Sequence, residues 1–203
     1  MCRARSMFRL TIAACVAISG TAFGQSLDSE VRLEGSGKHR EECNRMQLKA
    51  FDSSVWGHLT KWSGTPVTAE STRGKVLLIA TWTSYAKSSN GPAIALAQQL
   101  NQEYADKGLV VVAIHNPKGF DSAKGAADDA GVTFAYAADE LGKARVALRA
   151  DQDPDFFLVD RAGNMRFCDI ETATVGRAVE IALAETPEAA AAVPANTLKT
   201  AAE

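Results

Sequence analysis

Arg73-Gly74-Lys75 leads into Val76-Leu77-Leu78-Ile79-Ala80-Thr81-Trp82, an apolar run of the length of a buried strand, and Thr83-Ser84-Tyr85 follows it. A continuous apolar run without polar alternation fits a strand covered on both faces. Downstream, Ser88-Ser89-Asn90 offers side chains that cap a helix N-terminus, and Pro92 falls in the first turn, where its missing N–H costs nothing. Ile94, Ala97, Leu100 and Tyr104 recur at helical spacing, and Gly108 stands where a left-handed C-terminal cap is wanted. Leu109 to His115 then reads as a second buried strand, Asn116-Pro117-Lys118-Gly119 as a loop, and Asp121 to Ala130 as an alanine-rich helix. Val132 to Ala137 is a third, shorter strand and Leu141 to Ala150 a short helix. Phe156 to Val159 and Met165 to Ile170 are strands joined by the turn Asp160-Arg161-Ala162-Gly163-Asn164. Val175, Ala178, Val179, Ala182 and Leu183 line one face of a last helix.

Upstream of the first core strand, Leu59 to Thr68 reads as two short strands around the turn Ser63-Gly64-Thr65-Pro66. His39 to Phe51 forms a short helix that Asp52-Ser53-Ser54 breaks. Ser26 to His39, polar and carrying Gly35-Ser36-Gly37, is expected to be a flexible lead-in that acts as a spacer. Strands alternating with helices and ending in a hairpin plus helix imply an α/β fold, because right-handed crossovers place helices on both faces of a mixed sheet. Thr186 to Glu203, rich in alanine and interrupted by Pro187 and Pro194, has no apolar face and is expected to be a mobile tail.

The chain has 203 residues, enough for one packed domain. Met1 to Arg9 carries three arginines and no acid, Leu10 to Ala22 is apolar or small, and Ala22-Phe23-Gly24 before Gln25 fits a small-x-small cleavage site. Residues 1–24 are therefore read as a signal peptide. Residues 25–55 are then an N-terminal extension, 56–185 the folded domain and 186–203 the tail. Two other readings of the start stand beside this one: an uncleaved anchor, for which the apolar run is short, and an acylation site at Ile12-Ala13-Ala14-Cys15. Cleavage leaves 19 basic against 24 acidic residues, a net charge of −5 that argues against nucleic acid or an anionic membrane as partner. Cys43 and Cys168 stay in the mature chain, in a compartment where a disulfide persists.

The run from Gly74 to Tyr85 resembles the glycine-lysine, apolar-strand, tryptophan-x-x-aromatic pattern of the exported TlpA/ResA-like branch of the thioredoxin superfamily. Gly108 to Ile114 is similar to that family's second core strand. Asp153-Pro154 before Phe156-Phe157-Leu158-Val159-Asp160-Arg161-Ala162-Gly163 is similar to its x-Pro, strand and Asp-x-x-Gly hairpin. Over Leu59 to Glu185 the resemblance implies a thioredoxin-like fold: a central mixed sheet flanked by helices, with an N-terminal extension and a β-hairpin. It also implies a periplasmic or secreted location.

The family places Cys-x-x-Cys after the aromatic, and here the matching positions are Ala86-Lys87-Ser88-Ser89. The family dithiol works because a helix N-terminus lowers the first thiol's pKa and the second cysteine resolves the mixed disulfide. Ala86 supplies no nucleophile, and Ser89 cannot replace sulfur in disulfide exchange; its role is helix capping. By the resemblance Pro154 is cis, and Asp153, Pro154, Trp82 and Tyr85 hold an extended peptide by strand addition. The plain alternative makes Trp82 a core residue and Pro154 an ordinary turn proline. A charged Asp153 departs from the family, which puts its peptide preference in question.

His115 ends a core strand and either faces the degenerate loop or bonds nearby backbone. His39 and His58 have no partners at metal-ligand spacing, and no metal or phosphate motif occurs, so neither metal nor cofactor is expected. For Cys43 and Cys168 three readings stand: a structural disulfide closing a loop of about 125 residues, a relocated redox pair, or two buried thiols. Two functions follow. One is a non-catalytic module that binds an extended peptide or exported protein, with no stable membrane insertion after cleavage. The other is a thiol–disulfide oxidoreductase or antioxidant redoxin acting through Cys43 and Cys168.

Overall fold

The computed structural model describes residues 30–84 and 91–191. Helix α1 (Gly37–Met46) and a 3-10 turn (Ser53–His58) precede strand β1 (Thr60–Ser63). Strand β2 (Val76–Trp82), helix α2 (Gly91–Tyr104), strand β3 (Leu109–His115), helix α3 (Ala123–Asp129) and strand β4 (Ala135–Ala138) follow. Helix α4 (Lys143–Leu148), the hairpin of β5 (Phe156–Val159) and β6 (Met165–Cys168), and helices α5 (Val175–Ala184) and α6 (Pro187–Ala191) come next. The six strands form one sheet in the order β1-β4-β3-β2-β5-β6. β2, β3 and β4 are parallel, and β1, β5 and β6 run against their neighbours, so the sheet is mixed.

Period-2 alternation along the central strands divides the core into two layers. Val76, Leu78, Ala80 and Trp82 of β2 pack with Ile94, Ala97 and Leu100 of α2 and with Ala178 and Val179 of α5. Leu77 and Ile79 point the other way, toward Cys43 of α1, Val55 of the 3-10 turn, and Ala144 and Leu148 of α4. Every residue of β2 is buried, which is why its sequence is a continuous apolar run.

The hairpin carries one irregularity that matters below. Leu158 pairs with Phe167 but Val159 pairs with Met165, leaving Arg166 as the extra residue of a β-bulge. Met165 and Cys168 consequently face the same layer, although three residues apart. Arg166 is buried, with its guanidinium 2.9 Å from a Glu185 oxygen and over the Phe167 ring.

Three expectations are corrected. Leu59 to Thr68 holds one strand, not two: after Ser63 the chain turns at Gly64, whose φ is +80°, and then runs through Pro66 into a turn in which Thr68 and Ser71 bond each other's backbone N–H. Pro66 has no N–H to give a ladder, and among the described residues β1 pairs with β4 alone. From residue 30 onward the lead-in is not a spacer. Val31 is buried, Leu33 bridges Ile170, and the Glu34 N–H donates to the Asp169 carbonyl at 2.8 Å. Beyond Thr186 the chain continues into α6 with Ala190 buried. The signal-peptide reading of residues 1–24 and the end of the tail lie outside the described residues.

Candidate functional site

Two polar constellations lie at the end of the sheet where β2 and β3 finish and β5 begins. They share the loop Asp151 to Asp155.

The first is a ledge at Asp153–Pro154, whose peptide bond is cis. Asp155, next in the chain, locks the loop to β2: its N–H donates to Thr81 Oγ1 at 2.8 Å and its carbonyl accepts from the Thr81 N–H at 2.9 Å. Asp153 turns its carboxylate inward, ion-paired to Arg145 of α4 and accepting from Asn116 Nδ2 at 3.0 Å. Arg145 also donates to the Gln152 carbonyl, at 2.9 Å. The main-chain N–H and C=O of Asp153 have no hydrogen-bond partner among the described residues.

His115 bridges the ledge to the segment leaving β2. Its Nε2 accepts from the Ser84 N–H at 2.9 Å, so Nδ1 carries the proton and donates to the Asn116 carbonyl at 2.7 Å. Burial holds its pKa below the usual range, so the ring is neutral. His115 therefore both bonds nearby backbone and faces the loop, as a fixed part of the scaffold. Trp82 packs edge-on against His115, with centroids 4.8 Å apart, and only 1% of it is exposed. It supports the ledge from beneath, which corrects its expected place on the binding surface. Tyr85, Ala86 and Ser89 lie outside the described residues.

The second constellation surrounds the cysteines. Cys43 on α1 and Cys168 at the end of β6 are both fully buried, both free thiols, and close enough to perturb each other's ionisation. The Cys168 thiol, bonding the Cys43 sulfur, pulls the Cys43 pKa down, and the same contact pushes that of Cys168 far up. His39 lies one helical turn before Cys43, with Nε2 3.7 Å from Sγ and 3.0 Å from Asp169 Oδ2. Its Nδ1 is 3.6 Å from Asp151. Burial opposes protonation of His39, but the Asp169 hydrogen bond with Cys43 and Asp151 outweighs it and raises its pKa. Arg40 fixes the corner by donating to the Glu34 and Cys168 carbonyls at 2.8 and 2.9 Å.

The sequence reading left His39 without partners, and this is corrected. The His39-x-x-x-Cys43 spacing on a helix was the available signal, since i and i+4 share a face. Asp169, whose φ is +63°, was not legible at all. His58 is exposed at the end of the 3-10 turn.

Asp155 lies between the two constellations. Burial pushes its carboxyl up to about 7, against the opposing backbone bond from Gln152. The folded state therefore binds a proton that the unfolded chain has already released between the unfolded value near 4 and about 7. Stability from this group is full below that window and falls as pH rises through it, by up to about 1.4 kcal/mol per pH unit. Asp155→Asn is expected to flatten this slope and to be more stable than the parent at pH 8, measured by denaturant unfolding in a metal chelator. An unchanged slope would show that Asp155 is ionised throughout.

A mixed sheet in this order, with helices on both faces and a cis-proline at the start of β5, defines a thioredoxin-like fold. Solved structures carry the same architecture. A thiol-disulfide isomerase from Corynebacterium glutamicum superposes with a TM-score of 0.55 at 18% identity, covering 68% of this chain and 98% of that one. A secreted Mycobacterium tuberculosis disulfide oxidoreductase homologous to E. coli DsbE gives 0.52 at 14% identity, over 64% and 98%. A thioredoxin-like protein in its oxidized form gives 0.54 at 25% identity, over 62% and 89%. No protein-family model matches the sequence, and no curated protein matches it. Among the described residues no helix is long and apolar enough to cross a membrane.

Proposed function

We propose that this chain is an exported thioredoxin-fold binding module, of the TlpA/ResA-like branch, that takes an extended peptide on the ledge at Asp153–Pro154. The observation that carries this reading is the unpaired main-chain N–H and C=O of Asp153 beside the cis-proline. An extended strand satisfies both groups, as in β-augmentation. The inward ion pair with Arg145 supports this reading, because it turns the Asp153 charge away from a bound peptide. Disulfide exchange at the loop is not part of this function, because no cysteine occurs between Cys43 and Cys168.

Panning a library of extended peptides against the mature protein tests the proposal. Enriched peptides are expected to bind with micromolar Kd and to weaken at least tenfold in Arg145→Ala, where the freed Asp153 carboxylate swings toward the ligand. Cys43→Ala should leave their affinity unchanged. No enrichment over an unrelated protein, or binding indifferent to Arg145, would sink it.

A second reading rests on the lowered Cys43 pKa beside His39 and on the kinds of protein that share the fold. Here Cys43 and Cys168 form a relocated redox pair. It predicts reduction of insulin disulfides by the dithiol form and loss of that activity in Cys43→Ala. Full burial of both sulfurs is the obstacle, since a partner disulfide must reach the attacking thiolate.

A further inference from the structure

The geometry points to a zinc site in the dithiol form of this protein, with His39, Cys43 and Asp169 as its three protein ligands. Donor atoms of His39, Cys43 and Asp169 all lie within 4.8 Å of one another. A tetrahedral ion with bonds of about 2.0–2.3 Å needs ligand atoms about 3.3–3.8 Å apart. The His39–Cys43 separation of 3.7 Å falls in that range, and the His39–Asp169 separation of 3.0 Å needs to open by a few tenths of an ångström.

The donor chemistry selects the metal. A thiolate, an imidazole and a carboxylate suit a borderline-soft ion that takes three protein ligands and a solvent molecule, and the sulfur disfavours calcium and magnesium. Asp169 is buried, and its second oxygen Oδ1 has no hydrogen-bond partner among the described residues. The supporting shell is present too. Nδ1 of His39 faces the Asp151 carboxylate, the arrangement that fixes a metal-bound imidazole. One thiolate and one carboxylate neutralise a divalent ion, and the buried guanidinium of Arg40 fixes the same corner through the Cys168 carbonyl. Gly35 permits the close approach, since a Cβ there would meet His39 Cδ2 at 2.3 Å. Entry runs past His39, the only partly exposed ligand, with 20% of its side chain accessible.

Metal and disulfide are exclusive fates of the Cys43 sulfur. With a low-molecular-weight disulfide as oxidant, Cys43 and Cys168 join Sγ to Sγ. The reagent's own S–S bond opens, and its two sulfurs leave as thiols carrying the protons. No thiolate then remains for an ion.

The experiment uses the mature protein reduced with a phosphine. Zn²⁺ affinity is read by competition with a chromophoric chelator, and Co²⁺ serves as a spectroscopic probe for thiolate ligation. One ion per chain is expected, with a sulfur-to-cobalt charge-transfer band and protection of Cys43 from alkylation. His39→Ala should weaken Zn²⁺ by about 100-fold and Asp169→Asn by about tenfold, in line with ligand and near-ligand losses elsewhere. His39→Gln, with its metal-free melting temperature, separates lost ligation from lost folding. Pretreatment with the disulfide reagent should abolish binding. Absence of saturable binding by the reduced protein overturns the site, as does an affinity indifferent to both His39 and Asp169. Peptide binding at Asp153 is a separate readout and decides neither result.

Discussion

Reducing the oxidised protein in the presence of a chelator is expected to lower its stability by about 4–5 kcal/mol, the chain-entropy value for closing a loop of about 125 residues. At roughly 2–4 °C per kcal/mol for a domain of this size, the melting temperature falls by on the order of 10 °C or more. The expectation rests on position: α1 brings Cys43, and the bulged hairpin brings Cys168, to one buried point in the lower layer. The bond would tie residues before the first strand to the last strand of the sheet. Denaturant unfolding of the oxidised and reduced forms, with alkylation and intact mass to verify each state, measures the difference. Coincident curves would leave the two cysteines as small buried hydrophobes. The potential at which they interconvert distinguishes the remaining readings. A pair that stays oxidised below about −300 mV is structural, whereas equilibration near −200 mV makes it a redox centre.

Arg166→Ala is expected to cost about 3–5 kcal/mol, because removing one partner of a buried ion pair leaves the other charge uncompensated and opens a cavity. Arg166 is 1% exposed, its Glu185 partner 17%, and its guanidinium also covers the Phe167 ring. Replacing both partners, Arg166→Met with Glu185→Met, should recover most of the loss, since an apolar pair needs no compensation. Urea unfolding of the two single variants and the double variant forms the cycle. A single substitution costing less than about 1 kcal/mol would mean that the bulge rearranges to bring solvent to Glu185.

The core strands were legible from sequence because both their faces are covered. β2 has the bounds Val76–Trp82 of the apolar run, and β3 those of Leu109 to His115. Ile94, Ala97 and Leu100 are buried as their helical spacing required, and Gly108 has the left-handed φ of +96° expected of its cap. Elements held by partners distant in the chain were not legible. Residues 31–34 look like a polar spacer, yet Arg32 pairs with Glu171 and Leu33 with Ile170, contacts that span more than a hundred positions. β1 differs from its expected pattern for the same reason, since its strand partner is the distant β4.

The sequence by itself determined the two-layered core and the absence of any thiol between Cys43 and Cys168, because apolar periodicity and residue identity are local properties. Tertiary structure alone decided the inward turn of the Asp153 carboxylate and the convergence of His39, Cys43, Cys168 and Asp169. One depends on Arg145 reaching across from α4. The other depends on a single extra residue in β6 that rotates Cys168 into the same layer as Cys43.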